Sequence, residues 1–201
     1  MKSRYILVSV LILATASCTK DRNPQPPMGW TAQNVVDRIC GVYTLESAQW
    51  DGAPLDLDGD GIASPSFMEE LLSGEWLGYQ DQYCDVTIYP ATRLDSPTQI
   101  NAYIYHGDFG DDSNGGYSLD QIQFYYKVDV EGALSFEFNK ASVYSFCGEK
   151  KRRLDNVQAG FEGDLFVISG DTDYFDLVSQ TAVPGRETFR YRGISTKEKR
   201  Q

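Results

Sequence analysis

The chain has 201 residues, 41% of them hydrophobic, which is enough for one domain of ordinary size with a sizeable core. Its formal net charge at pH 7 is −11. This acidity excludes proteins that hold nucleic acid through clustered Lys and Arg, because phosphate groups must be neutralised by basic side chains. We therefore expect no nucleic-acid partner.

Residues 1–17 have the pattern of a secretory signal peptide. A basic start precedes an apolar run over 5–16 that ends in small residues. The run is too short to span a bilayer comfortably. The small residues before Cys18 resemble a bacterial lipobox, which predicts a mature protein that begins with a lipidated Cys18. Ordinary cleavage before Ser17 is the alternative.

Residues 18–33 are predicted to form a Pro-rich tether, since such segments extend and cannot join a sheet ladder. The lipid on Cys18 would anchor the chain to an outer membrane, on its periplasmic or its surface face. The tether would hold the folded domain, predicted over 34–195, away from that membrane. Residues 196–201 form a charged tail.

The cysteines are consistent with export, because disulfides persist outside the cytoplasm. With Cys18 lipidated, Cys40, Cys84 and Cys147 remain, which is an odd number. One disulfide and one free thiol are expected, and three pairings stay open.

From Cys40 onward the dominant pattern is the period-2 alternation of antiparallel strands. Ile122, Phe124 and Tyr126, for example, alternate with polar residues. A short helical turn is predicted at 34–38 and one short helix at 66–72, which follows a proline. Strands are predicted over 41–48, 84–89, 99–106, 122–128, 134–138, 141–146, 164–169, 174–178 and 188–194.

An acidic loop over 56–61 resembles the first half of an EF-hand calcium loop, with three aspartates at alternate positions and then a glycine. Phe67 stands where that loop usually has its bidentate acid. A turn rich in Asp and Gly, without a metal, is the alternative. The predicted calcium ligands are Asp56, Asp58, Asp60, Ser64 and Glu70.

Aromatic side chains are candidates for a ligand site, because their faces stack on sugars or surround an apolar molecule. Core packing and cross-strand pairing are the alternative explanation. The candidate ligand-binding residues are Trp50, Trp76, Tyr79, Tyr103 and Tyr105.

Catalysis has weak support. His106 is the sole histidine, which excludes sites made of several histidines, and the chain has no G-x-S-x-G motif. Carboxylates are numerous, but nothing in the sequence singles out a pair for glycoside hydrolysis. We therefore expect no enzymatic activity.

Two short motifs resemble those of lipocalins. Gly41-Val42-Tyr43, after a short helical turn, resembles their G-x-W motif with Tyr in place of Trp, and Thr172-Asp173-Tyr174 resembles their T-D-Y motif. Residues 41–45 and 52–61, followed by 84–85, look similar to lipocalin-like lipoproteins of Bacteroidetes-type bacteria. The resemblance implies a barrel floor in which an aromatic side chain packs against an arginine. The matching residues are Gly41, Tyr43 and either Arg190 or Arg192.

The strand pattern and the resemblance together lead to expectations for the fold and the function. The fold is all-β, an antiparallel lipocalin-like barrel of about eight strands, with a β-sandwich as the alternative. The resemblance implies a membrane-anchored lipoprotein whose barrel binds a small, mainly apolar molecule. The alternative is a carbohydrate-binding or glycan-uptake accessory lipoprotein, and a hydrolase comes third. Calcium is the only cofactor that the sequence suggests.

Overall fold

A computed structural model describes residues 31–72, 85–93, 96–107, 117–142 and 154–194, without the side chains of 72, 106–107 and 117–120. Two short helices and eight strands account for most of this part of the chain. Neither helix has the length and apolar character needed to cross a membrane. The elements are α1 (Ala32–Ile39), β1 (Gly41–Trp50), α2 (Phe67–Leu72), β2 (Asp85–Ile88), β3 (Thr98–Gly107), β4 (Tyr117–Val128), β5 (Leu134–Phe138), β6 (Leu154–Glu162), β7 (Leu165–Asp176) and β8 (Thr181–Ile194).

The strands form one antiparallel sheet in the order β5-β4-β3-β2-β1-β8-β7-β6. This sheet curls into a nearly closed barrel, and β5 approaches β6 at the seam. There the rings of Phe136 and Phe161 lie 6.1 Å apart, measured between centroids. The predicted all-β antiparallel barrel of about eight strands is confirmed. A single curled sheet excludes the sandwich alternative.

Helix α1 covers one end of the barrel. Thr31 caps it, because its side chain accepts a hydrogen bond from the Asn34 N–H. Val36 and Ile39 are buried, so one stripe of the helix faces the core. The predicted helical turn at 34–38 is confirmed and is longer than expected.

Aromatic side chains fill the barrel interior along the described strands. They alternate with outward-facing polar residues, as the pleat of a sheet requires. The largest side chains with less than 2% exposure are Phe124, Tyr126, Phe166, Tyr174, Phe189 and Tyr191.

Rings collect into two groups at the two ends of the barrel. The α1-end cluster consists of Tyr43, Phe136, Phe161, Phe166 and Tyr191, with neighbouring centroids 5.4–6.3 Å apart. The α2-end cluster consists of Trp50, Phe67, Tyr174 and Phe189.

Two of the strand predictions need correction. The segments 164–169 and 174–178 belong to one continuous strand, β7, so the polar residues between them do not form a turn. The expected strand over 141–146 is wrong at its start, where residues 140–142 are helical. Asn139 causes this, because its side chain accepts a hydrogen bond from the Ala141 N–H and its carbonyl accepts one from the Ser142 hydroxyl. Residues 143–146 lie outside the described part.

Candidate functional site

An open cavity of about 380 Å³ lies where the end of β1 meets α2 and β8. Its apolar wall comes from Trp50, Pro65, Phe67 and Met68. Strand β1 ends at Trp50, and α2 begins at Phe67 after the acidic loop has turned the chain back toward the barrel. The cavity therefore lies at an end of the barrel and not along its axis.

Trp50 is fixed in place by a close fit against two glycines. A Cβ atom built on Gly52 or Gly185 would lie 2.5 Å from the indole ring, so only glycine leaves room for it at both positions. The indole N–H donates to the Ala53 carbonyl over 3.0 Å. The ring also stacks on Phe67, with centroids 5.7 Å apart. These contacts make Trp50 a rigid wall of the cavity.

The polar wall of the cavity includes Gln49, Asp51, Arg186 and Thr188. The Arg186 guanidinium donates to Asp171 over 2.6 Å and to the Ser169 hydroxyl over 2.8 Å. Its backbone N–H donates to the Asp51 carboxylate over 2.6 Å. Because these partners hold the polar groups in place, the cavity presents a preformed surface that is apolar on one side and polar on the other.

A carboxyl group lies beneath the α2-end cluster. Glu187 is 1% exposed and accepts a hydrogen bond of 2.7 Å from the Tyr174 hydroxyl. In the sheet it lies directly opposite Trp50. Burial raises its pKa well above the ordinary value, against the opposing effects of the Tyr174 hydrogen bond and the Arg186 charge.

The acidic loop is organised by its own carboxylates. A backbone pair between Leu55 and Ser64 closes it. The Asp56 side chain, 1% exposed, accepts from the N–H groups of Gly59 and Gly61. Both glycines have φ near +85°, a left-handed conformation that favours glycine. The alternation of Asp and Gly therefore builds this loop by turn chemistry.

Three of the five predicted calcium ligands come together. Carboxylate oxygens of Asp56, Asp58 and Glu70 all lie within 4.8 Å of one another. Asp60 and Ser64 instead accept hydrogen bonds from nearby backbone N–H groups, those of Ile62 and Ser66. Three converging carboxylates suit a hard cation such as Ca²⁺. Calcium binding itself stays a prediction.

Two buried acids support the loop from neighbouring elements. Glu70 of α2 accepts from the Leu57 N–H over 2.8 Å. Burial raises the pKa of Glu70, helped by the charges of Asp58 and Asp56 and opposed by the bond from Leu57. Asp176 of β7 accepts from the Asp56 N–H over 2.7 Å. Burial tends to raise the Asp176 pKa, but its hydrogen bonds with Ser179, Asp56 and Val178 outweigh burial and lower it.

The three aromatic ligand candidates that the structure describes do not share one surface. Trp50 lines the cavity, whereas Tyr105 is buried with its ring 6.3 Å from that of Phe189. Tyr103 is half-buried on β3, and its carbonyl accepts from the Tyr191 hydroxyl. Trp76 and Tyr79 lie outside the described residues.

The prediction that Tyr43 packs against Arg190 or Arg192 in the barrel floor is wrong. Tyr43 is buried and lies opposite Gly193, packed on Phe161 and Phe166. Arg190 and Arg192 point to the other face of β8, because adjacent strand residues alternate between faces. The outward-facing guanidinium of Arg190 bonds Glu162 and Gln49, and that of Arg192 bonds Glu46. Gly41 begins β1, as expected.

The cysteine and histidine predictions are only partly covered by the structure. Cys40 is a free, half-buried thiol whose pKa is raised by burial. Cys18, Cys84 and Cys147 lie outside the described residues, as does the side chain of His106. Lipidation and the disulfide pairing therefore stay predictions.

Sequence reasoning missed Glu187 as a site residue, although the signal was present. Glu187 is in phase with Phe189 and Tyr191, so the alternation of β8 places it on the inner face. The strand predicted over 188–194 begins one residue after Glu187, so the prediction leaves this residue out.

Comparison with known proteins identifies no relative of this chain. No protein-family model, curated protein or solved structure matches the chain. The function is therefore inferred from the barrel and from its site.

Proposed function

We propose that this protein is a membrane-anchored, lipocalin-like barrel that binds a small amphipathic molecule in the cavity beside α2. The observation that carries the proposal is the cavity itself, with about 380 Å³ between an apolar and a polar wall. Volumes of this order are typical of small-ligand pockets. Trp50, Phe67 and Met68 would contact an apolar body, while Thr188 and Arg186 lie where a polar group would be placed.

The end cavity is a better site than the barrel axis. Fully buried rings such as those of Phe124, Phe166 and Tyr191 occupy the interior of the described barrel. Close packing of this kind leaves little room for a ligand without large rearrangement. The proposed ligand is therefore smaller and more polar than an alkyl chain held along the axis.

A carbohydrate-binding role is less well supported. A sugar platform needs an aromatic face that is open to solvent. One face of Trp50 stacks on Phe67, and two glycines lie against its ring, so it offers no such platform.

Membrane anchoring is part of the proposal and is supported by the amino terminus. The apolar run over 5–16 and the small residues before Cys18 are the features of a lipoprotein signal. Residues 18–33 supply the tether between the lipid and the barrel. The outer membrane is the proposed location.

The cavity can be tested with a fluorescent amphipathic probe. We expect 8-anilinonaphthalene-1-sulfonate to bind the wild-type protein with a rise in probe fluorescence. Thr188→Trp places a large side chain in the cavity and should weaken binding by about tenfold or more, equivalent to at least about 1.4 kcal/mol.

Thr181→Trp is the matched control, because Thr181 is exposed at the far start of the same strand. It should bind the probe as the wild type does. Equal affinity of the wild type and Thr188→Trp, or no binding by the wild type, would contradict the proposed site.

A further inference from the structure

The carboxyl group of Glu187 is enclosed but incompletely hydrogen-bonded. Its Oε2 accepts from Tyr174, whereas its Oε1 is buried and has no hydrogen-bond partner among the residues that the structure describes. Strand pairing places it opposite Trp50 on one side and opposite Gly170 on the other. The group therefore lies directly behind a wall of the cavity.

The tyrosine that bonds this carboxyl group belongs to a cluster of packed rings. The Tyr174 ring meets Trp50 edge-on at 5.2 Å and Phe67 at 5.3 Å, and Phe67 lies 6.4 Å from Phe189. Such surroundings solvate a neutral acid tolerably and a carboxylate poorly.

Within the described segments, no basic group bonds Glu187. On β8 the neighbouring Arg186 directs its guanidinium to Asp171 and Ser169 of β7. At the end of β1, Asp51 bonds the Arg186 backbone.

The remaining ionisable groups of the packed elements are directed elsewhere or are weakly acidic. Glu70 of α2 bonds the Leu57 N–H, and Asp176 of β7 bonds the Asp56 N–H. Tyr105 of β3 contacts Phe189. Among the described residues, the Tyr174 hydroxyl is thus the group that bonds the Glu187 side chain, and the charge of Arg186 only partly opposes the effect of burial.

We propose that Glu187 is a pH-sensitive latch of the cavity: when neutral it keeps Tyr174, Trp50 and Phe67 packed, and when ionised it opens the α2 end of the barrel. A buried carboxylate regains solvation only if water reaches it. Water can enter by displacing Trp50 or α2, and both are walls of the cavity. Since this is regulation of that cavity, the inference rests on the proposed function.

Stability should fall as pH rises. Burial raises the pKa of Glu187 in the folded protein, so the folded state binds more protons than the unfolded state above the ordinary value of 4.5. Because folding is linked to proton binding, the folding equilibrium constant falls by about tenfold per pH unit. The fall ends when Glu187 has also ionised in the folded state. Below pH 4.5 this contribution is fully present.

Denaturant unfolding of the wild type and Glu187→Gln between pH 5 and pH 9 tests the latch. Gln keeps an acceptor for Tyr174 but does not titrate. The folding constant of the wild type should fall relative to that of Glu187→Gln by about tenfold per pH unit, until Glu187 ionises in the folded state as well. Parallel profiles would overturn the proposal.

Tyr174→Phe is a second variant, which tests the latch if Glu187→Gln does not fold. The Tyr174 hydroxyl donates to the Glu187 carboxyl group over 2.7 Å and so helps to hold the closed arrangement. Without this bond the closed state is weaker, and the opening, followed by near-ultraviolet circular dichroism of the rings, should move to lower pH. An unchanged midpoint, or a shift to higher pH, would overturn the proposal.

Probe binding separates this inference from the proposed function. Wild-type affinity for 8-anilinonaphthalene-1-sulfonate should fall over the pH range in which the ring signal is lost, whereas Glu187→Gln should bind equally throughout. A wild-type affinity for the probe that stays constant across that range would overturn the proposed latch but not the proposed binding site. If neither protein binds the probe at any pH, the proposed function fails, and the unfolding profiles still decide whether Glu187 titrates as described.

Discussion

Tyr43 joins α1 to the barrel interior. Its hydroxyl donates to the Ile39 carbonyl over 2.7 Å, and its ring lies 5.8 Å from that of Phe161. Burial raises its pKa to about 12, so it stays neutral at physiological pH. One side chain thus provides both a hydrogen bond and apolar contacts at this end of the barrel.

Truncation of Tyr43 should separate these contributions. Tyr43→Ala is expected to destabilise by about 3 kcal/mol, as aromatic truncations in cores do. Tyr43→Phe should cost only about 1 kcal/mol, because it removes the hydrogen bond alone. Urea denaturation measures both. A loss from Tyr43→Phe as large as that from Tyr43→Ala would show that the ring contacts contribute little.

The position of Tyr43 could be anticipated from the sequence, but its partner could not. Burial followed from the G-x-Y motif at the start of a strand. The partner depends on register, and a shift of one residue exchanges the two faces of a strand. The register places Gly193 opposite Tyr43, with Arg192 opposite Thr44 on the outer face.

Calcium should stabilise the acidic loop. Asp56, Asp58 and Glu70 repel one another as carboxylates, and a cation would remove that repulsion. Binding to the native state alone raises the melting temperature, by about 2–4 °C for each 1 kcal/mol in a protein of this size. We expect calorimetry to show this rise for the wild type but not for Asp58→Ala. If millimolar calcium changes the melting temperatures of the wild type and Asp58→Ala equally, the loop is an acidic turn without a calcium site.

At the scale of elements, the end of β1 depends on two glycines that make room for Trp50. Gly185→Ala places a methyl group about where the indole ring lies, so we expect a loss of about 1–3 kcal/mol. The loss should be smaller in a Trp50→Leu background, with a coupling energy of about 1 kcal/mol. Thermal or urea denaturation of the double-mutant cycle measures it. Additive losses would mean that the methyl group meets something other than Trp50.

The strands that the sequence predicted well are those with regular alternation, such as β3 and β5. Strand β6 was missed because its pattern is broken: the register shifts between Asp155 and Gln158, and Asn156 has a φ of 49°. Strand β7 was divided at Gly170, which suggested a turn. Gly170 is instead a strand residue whose missing side chain leaves room for Leu154.

At the scale of the whole molecule, the lipid anchor is the first prediction to test. Cys18→Ala should release the protein from the membrane fraction, because the thioether-linked lipid is the proposed attachment. Mass spectrometry of the mature amino terminus should find a lipid-modified cysteine. An unmodified chain that begins at Ser17 would show that ordinary signal cleavage prevails.

The sequence indicated the barrel but not its site. Period-2 alternation is local, so it predicts individual strands with little help from distant contacts. The cavity is made by Trp50, Phe67 and Thr188, which meet only because the acidic loop returns the chain to the barrel end. Such a meeting of distant segments depends on packing that no local pattern encodes.

The proposed ligand site lies at the α2 end and not along the barrel axis. The nuclear magnetic resonance spectrum of the wild-type protein, recorded during titration with 8-anilinonaphthalene-1-sulfonate, tests this position. We predict that signals of Ala48, Met68 and Thr188 shift while those of Ala102 and Ile122 stay in place. Shifts concentrated on Ala102 and Ile122, inside the barrel, would contradict the claim.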